Sequence, residues 1–162
     1  MENSTRIDDL HPIVQGKALR LQRALLDQGV GLIFLSTWRD GEWQAARFAI
    51  GRTERGPNVS PARPMGAILT GAAPGYSFHE HRLAFDAWPI VHGRVITSWA
   101  EPDYTQVWKL VRRLARDPSI NLRHGANVAG ESTRREWEHF WYSAALSIEQ
   151  IRAGERLPDV DV

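Results

Sequence analysis

SFHEHRLAFD, residues 77–86, and EWEHF, residues 136–140, hold three of the chain's six histidines, His79, His81 and His139, each close to acidic residues. The others stand at His11, His92 and His124. A catalytic zinc ion takes three protein ligands and keeps one position open for water. A carboxylate base beside that water completes the nucleophile. Two imidazoles and one carboxylate supply such a ligand set, a second carboxylate supplies the base, and the two segments contain all four. Each segment carries little by itself. A His seven residues before an Asp, or a Glu three before a His, arises by chance, and surface or internally satisfied polar residues are the competing reading. Joint occurrence in a chain with so few histidines weakens that reading without removing it.

The rest of the chain narrows the chemistry further. At 162 residues it has the usual size of one domain, 1–162, long enough to bury roughly 70% of its unfolded surface without staples. There is no cysteine, which excludes a disulfide framework, thiolate zinc sites and thiol nucleophiles together. Twenty Lys and Arg against nineteen Asp and Glu leave a net charge of +1 and no basic stripe, so nucleic acid is not expected as a partner. The opening MENSTRIDDLHP is polar, without the apolar core of a secretory signal. The longest apolar run, Val30 to Leu35 around Gly31, is far too short to span a bilayer, so no stable membrane association is expected.

Outward from the two segments, periodicity assigns the elements. Leu10, Ile13, Val14, Leu21 and Leu25 recur at helical spacing, which predicts a helix over roughly 10–28 with Gly29 as its stop. VGLIFLST suits a buried strand. Asp40 is positioned to cap a helix through GEWQAARFAI, closed by Gly51. Residues 52–66 carry three prolines and two glycines and read as a long exposed loop, a candidate substrate flap. GAILT and LAFDAWPIVHGRVIT read as strands, the latter turning near His92-Gly93. Asp103 is placed to cap a helix through YTQVWKLVRRLARD, a Gly-containing loop near 124–131 follows, and SIEQIRAGE forms a last short helix. Without regular βαβ alternation, the order implies an α+β fold with a mainly antiparallel sheet flanked by helices.

These stretches resemble a known family. SFHEHRLAFDAWPI is similar to the Ser-x-His-x-x-Gly-x-Ala-x-Asp signature of the zinc D-alanyl-D-alanine carboxypeptidases and phage L-alanyl-D-glutamate peptidases, the endolysins. EWEHF is similar to their Glu-x-x-His element with its following aromatic residue. STWRDGEWQ resembles their strand ending in Arg and the next helix carrying a Gln. IGRT, TGAAPGYSFH and LSIEQIRAGE follow in the same order, so the resemblance spans roughly residues 10–155. It implies a hedgehog/DD-peptidase-like fold with zinc on His79, Asp86 and His139. Glu136 is implied as the base that takes a proton from the attacking water and later passes one to the leaving amine. Arg39 is implied to hold a substrate carboxylate or the developing oxyanion. Ser77 and Gln44 are implied as substrate hydrogen-bonding residues, with bracing of the site as the other role open to Gln44.

Each of these has a plainer alternative: Arg39 as a surface charge, Ser77 and Gln44 as ordinary turn and helix residues. Trp137 and Trp141 read as packing around the site, and His11 and His92 as structural. His124 lies in a loop that can approach the cleft. Two departures stand out. Arg82 replaces the family's Gly, at a steric cost if the backbone there needs φ > 0. His81, two residues after His79, would share its face on an extended segment and offers a different ligand pair. The resemblance implies a monomeric peptidoglycan hydrolase acting on the stem peptide, most closely an L-alanyl-D-glutamate endopeptidase. The alternatives are a D,D- or L,D-carboxypeptidase, or a zinc-containing wall-binding domain without catalysis. It also implies synthesis in the cytoplasm and action on the cell wall after release.

Overall fold

The computed structural model describes residues 1–98, 101, 103–125 and 138–157. In chain order the elements are β1 (Asn3–Ser4), α1 (Pro12–Leu26), β2 (Gly31–Ser36), β3 (Trp38–Arg39), α2 (Gly41–Ala49), β4 (Ala84–Val91), β5 (Arg94–Val95), α3 (Tyr104–Ala115), β6 (Arg123–His124), β7 (His139–Trp141) and α4 (Ile148–Arg152). The main sheet runs β2-β4-β7-β6 with β5 on the end of β4, and β1 pairs β3 separately. Every one of these pairings is antiparallel, and the α+β expectation holds.

α1 starts where Pro12 occupies its first turn and His11 accepts from the Ile13 N–H, so His11 is a structural cap. Val14, Ala18, Leu21 and Leu25 fall on one stripe and are completely buried. On α3 the stripe is Tyr104, Val107, Trp108, Val111 and Ala115. Asp103 stands at the N-cap position but makes no side-chain cap bond. The two helices pack on each other, α1 on β2 and α3 on β4 and β6, covering one face of the sheet. Phe85 and Phe140 point into that layer, stacked 5.0 Å apart, with Trp108 beyond them. Burying one such aromatic side chain stabilises by about 1.5–3 kcal/mol. Because side chains alternate along a strand, Phe85 and Phe140 in the core send Asp86 and His139 to the opposite face.

Asp40 caps α2 by accepting from the Trp43 N–H at 2.6 Å. Ser147 and Gln150 form a reciprocal capping box on α4. β4 turns at His92 and Gly93, both at positive φ as a two-residue hairpin turn requires, but the return strand is only Arg94–Val95. GAILT forms no strand. Its neighbourhood is claimed by other bonds: Ala67 N–H donates to Pro57 O, Arg52 donates to Thr70 O, and Gln44 donates to Ala72 O. The 52–66 loop is knitted to itself, with Gly56 N–H bonded to Met65 O. Gly66 sits at φ +78 where a Cβ would meet Gly56 O at 2.4 Å, so this close approach needs glycine. Among the described residues no helix is long and apolar enough to cross a membrane.

Candidate metal centre

Register builds the site. β4 pairs with β7 so that Asp86 lies opposite His139, and with β2 so that Asp86 also lies opposite Ser36. The second match depends on a bulge between Phe34 and Ser36, without which Leu35 would face Asp86. Ser36, Asp86 and His139 therefore form one row across three strands. His79 reaches the row from the turn before β4. His79 Nε2 lies 3.2 Å from His139 Nδ1 and 3.3 Å from Asp86 Oδ1, and His139 Nδ1 lies 3.0 Å from Asp86 Oδ1. Ligands placed roughly 2.0–2.2 Å from one tetrahedral centre are separated by about 3.3–3.6 Å. The three atoms are thus close to the spacing a common ion needs, and among the described residues His79, Asp86 and His139 can hold a metal.

Second contacts orient these atoms. Ser36 Oγ donates to Asn3 Oδ1 at 2.6 Å, so toward its other neighbours it can only accept. It takes Arg39 Nε–H at 2.9 Å and lies 3.4 Å from His79 Nδ1. That arrangement places the imidazole proton on Nδ1 and leaves the Nε2 lone pair facing the site. Arg39 also forms an ion pair with Asp86 Oδ2, which turns Oδ1 toward the two imidazoles. Burial pushes His79 down to about 4 against the favourable charge of Asp86, so it is neutral at pH 7 and ready to ligate. Burial raises Asp86, but the charge and hydrogen bonds of His79 and His139 outweigh it and hold the carboxyl well below its usual range. Trp141 stacks on the His139 ring, 5.2 Å between centroids, as packing.

The segment around His79 is a turn, not an extended strand. Glu80 N–H donates to Ser77 O, Arg82 N–H to His79 O, and Leu83 N–H to Phe78 O. Residues i and i+2 therefore do not share a face, and His81 is directed away, its Nε2 lying 3.3 Å from Gly75 O. His79 and His81 do not form the alternative ligand pair. The same turn explains Arg82, whose φ is +62: the position does require the left-handed region. Its guanidinium lies 5.1 Å over the Trp38 ring and does not line the cleft. His124 is buried against Phe140 and Trp108, part of the core rather than the cleft.

A cleft of about 350 Å3 opens over the row, walled by Arg39, Arg47, residues 68–72, Tyr76, Ser77 and Glu138. Residues 52–66 do not line it; the wall is the stretch just after them. Ser77 stands at the cleft, its Oγ accepting from the His79 N–H at 3.4 Å. Gln44 is fully buried and outside the cleft, where it braces the wall through Ala72 O at 2.8 Å. Glu136 and Trp137 lie outside the described residues. Ser36, Arg47 and Glu138 escape a sequence reading. Ser36 precedes Arg39 by three residues, but an isolated hydroxyl at a strand end announces nothing. Arg47 lies one helical turn beyond Gln44, outside any motif, and Glu138 is masked by its neighbours Glu136 and His139.

No family model matches the chain, and no curated protein matches it. Among solved structures it is similar to the Serratia marcescens L-Ala D-Glu endopeptidase ChiX, with a TM-score of 0.50 and 23% identity over 85% of this chain and 83% of that one. The two share a fold. ChiX is named as an endopeptidase of L-Ala and D-Glu.

Proposed function

We propose that the chain is a zinc-dependent peptidase of the peptidoglycan stem peptide, an L-alanyl-D-glutamate endopeptidase that acts on the wall after release from the cytoplasm. The observation that carries this is the convergence of His79, Asp86 and His139 on one face of a sheet whose fold resembles that of an L-Ala D-Glu endopeptidase. Two imidazoles and one carboxylate at the floor of an open cleft are the donor set of a hydrolytic zinc site, which keeps a position free for water. When bound there, zinc supplies Lewis acidity toward a carbonyl oxygen and toward water.

The protein's own groups do the rest. Asp86 presents Oδ1 because Arg39 engages Oδ2. The second terminal nitrogen of Arg39 has no hydrogen-bond partner among the described residues and is the group proposed for the developing oxyanion. Ser77, at the cleft wall, is proposed to hydrogen-bond the substrate backbone. Glu136, three residues before His139, is proposed to take the proton of the attacking water and return it to the leaving amine. No covalent acyl-enzyme forms on this route, because no nucleophilic side chain is used.

Hydrolysis of a purified stem peptide with and without chelation tests the reading. The expected result is about one zinc per chain, loss of hydrolysis on chelation, recovery with zinc, and no zinc retained by His79→Ala. A zinc-loaded protein that hydrolyses no stem peptide would instead be a wall-binding domain.

A further inference from the structure

Two arginines line the cleft, and they differ in how they are satisfied. Arg39 is paired with Asp86 and Ser36. Arg47, on α2, lies 4.7 Å over the Trp43 ring, yet its buried Nε has no hydrogen-bond partner and it forms no ion pair among the described residues. Arg47 is half-buried at the cleft wall, its buried Nε is left without an acceptor, and the positive charge of Arg39 nearby adds repulsion. The Trp43 face attracts the cation but supplies no hydrogen-bond acceptor. Among the described residues no carboxylate is within ion-pair distance of Arg47, so its guanidinium is available to an anion in the cleft.

We infer that Arg47 reads a carboxylate of the substrate beside the scissile bond. This rests on the endopeptidase reading. In the stem peptide D-Glu continues the chain through its γ-carboxyl, so its α-carboxylate stays free on the carbon that bears the scissile nitrogen. A cation on the cleft wall is suited to that carboxylate. Arg82 is not, because its side chain lies on Trp38 away from the cleft. Arg47 is thus a specificity-determining residue, distinct from the groups that hold the metal or move protons.

The test compares two stem peptides, one with the free D-Glu α-carboxylate and one with that carboxylate amidated, on the zinc-loaded wild type, Arg47→Gln and Arg47→Lys. The wild type should favour the acid in kcat/KM by about tenfold to a hundredfold, the scale of a charge-assisted hydrogen bond. Arg47→Gln should bring that ratio close to one, and Arg47→Lys should keep part of it because the charge remains without the fork. If Arg47→Gln does not fold, the intermediate ratio in Arg47→Lys carries the test. A ratio that survives in Arg47→Gln, or both peptides slowed equally, would overturn the inference and leave the peptidase reading intact. Equal use of both peptides by the wild type would do the same. Hydrolysis of neither peptide would overturn the peptidase reading, and the inference would then be decided by whether Arg47→Gln binds the acid peptide more weakly than wild type.

Discussion

Ser36 has no chemistry of its own, yet one hydroxyl meets Asn3, Arg39 and the ring of His79. Removing it leaves Arg39 Nε without its acceptor and the His79 ring free to choose its tautomer. Ser36→Ala should therefore keep the fold and lower zinc affinity by about tenfold to a hundredfold, the usual size of an effect at residues that orient metal ligands. Competition with a chromophoric chelator measures it, and an unchanged affinity would remove Ser36 from the site. The base needs a sharper comparison, because two glutamates precede His139 and Glu138 lines the cleft. Glu136→Gln should retain zinc and lose kcat by roughly a hundredfold or more, while Glu138→Gln should stay within a few-fold. The opposite pattern in single-turnover rates would make Glu138 the base.

At the scale of elements, the turn between Ser77 and Leu83 and the bulge in β2 decide what the site is. The candidate ligands His79, Asp86 and His139 are legible in the sequence because they lie in two short ordered segments. The resemblance already names the three together; what spacing alone does not show is the β4–β7 register that sets Asp86 opposite His139, and the bulge in β2 that brings Ser36 beside them. The extended reading of 79–82 fails for a similar reason: turn hydrogen bonds replace the period of two, and His81 leaves the site. GAILT looks like a strand by composition, but its Ala67 N–H donates to Pro57 O and its Thr70 carbonyl is taken by Arg52. Arg82, by contrast, stands where the resemblance has a Gly and raises the question of positive φ, and the backbone does adopt it. Relief of left-handed strain, about 1–2 kcal/mol, opposes loss of the contact with Trp38 and the greater freedom of an unfolded glycine. Arg82→Gly should shift stability by no more than about 1 kcal/mol and leave kcat/KM and its salt dependence unchanged. A raised KM with a weaker salt dependence would assign Arg82 to substrate binding.

Across the whole molecule, one face of the sheet is given to packing and the other to the candidate metal centre. α1 and α3 bury Phe85 and Phe140, and the alternation of the same strands delivers Asp86 and His139 to the cleft. The fold class follows from element order, and the helices and their caps from periodicity and capping residues, since these are local properties. The cleft wall at 68–72 and the two-arginine arrangement depend on contacts distant in sequence and appear only in three dimensions. A net charge of +1 conceals this local asymmetry. The central claim concerns which bond such a cleft cuts. Mass spectrometry of purified muropeptides after digestion with the zinc-loaded protein reads it directly. Stem peptides beginning at D-Glu, with L-Ala left on the glycan, are the predicted products. Free D-Ala as the sole product would contradict the account and place the enzyme among the carboxypeptidases.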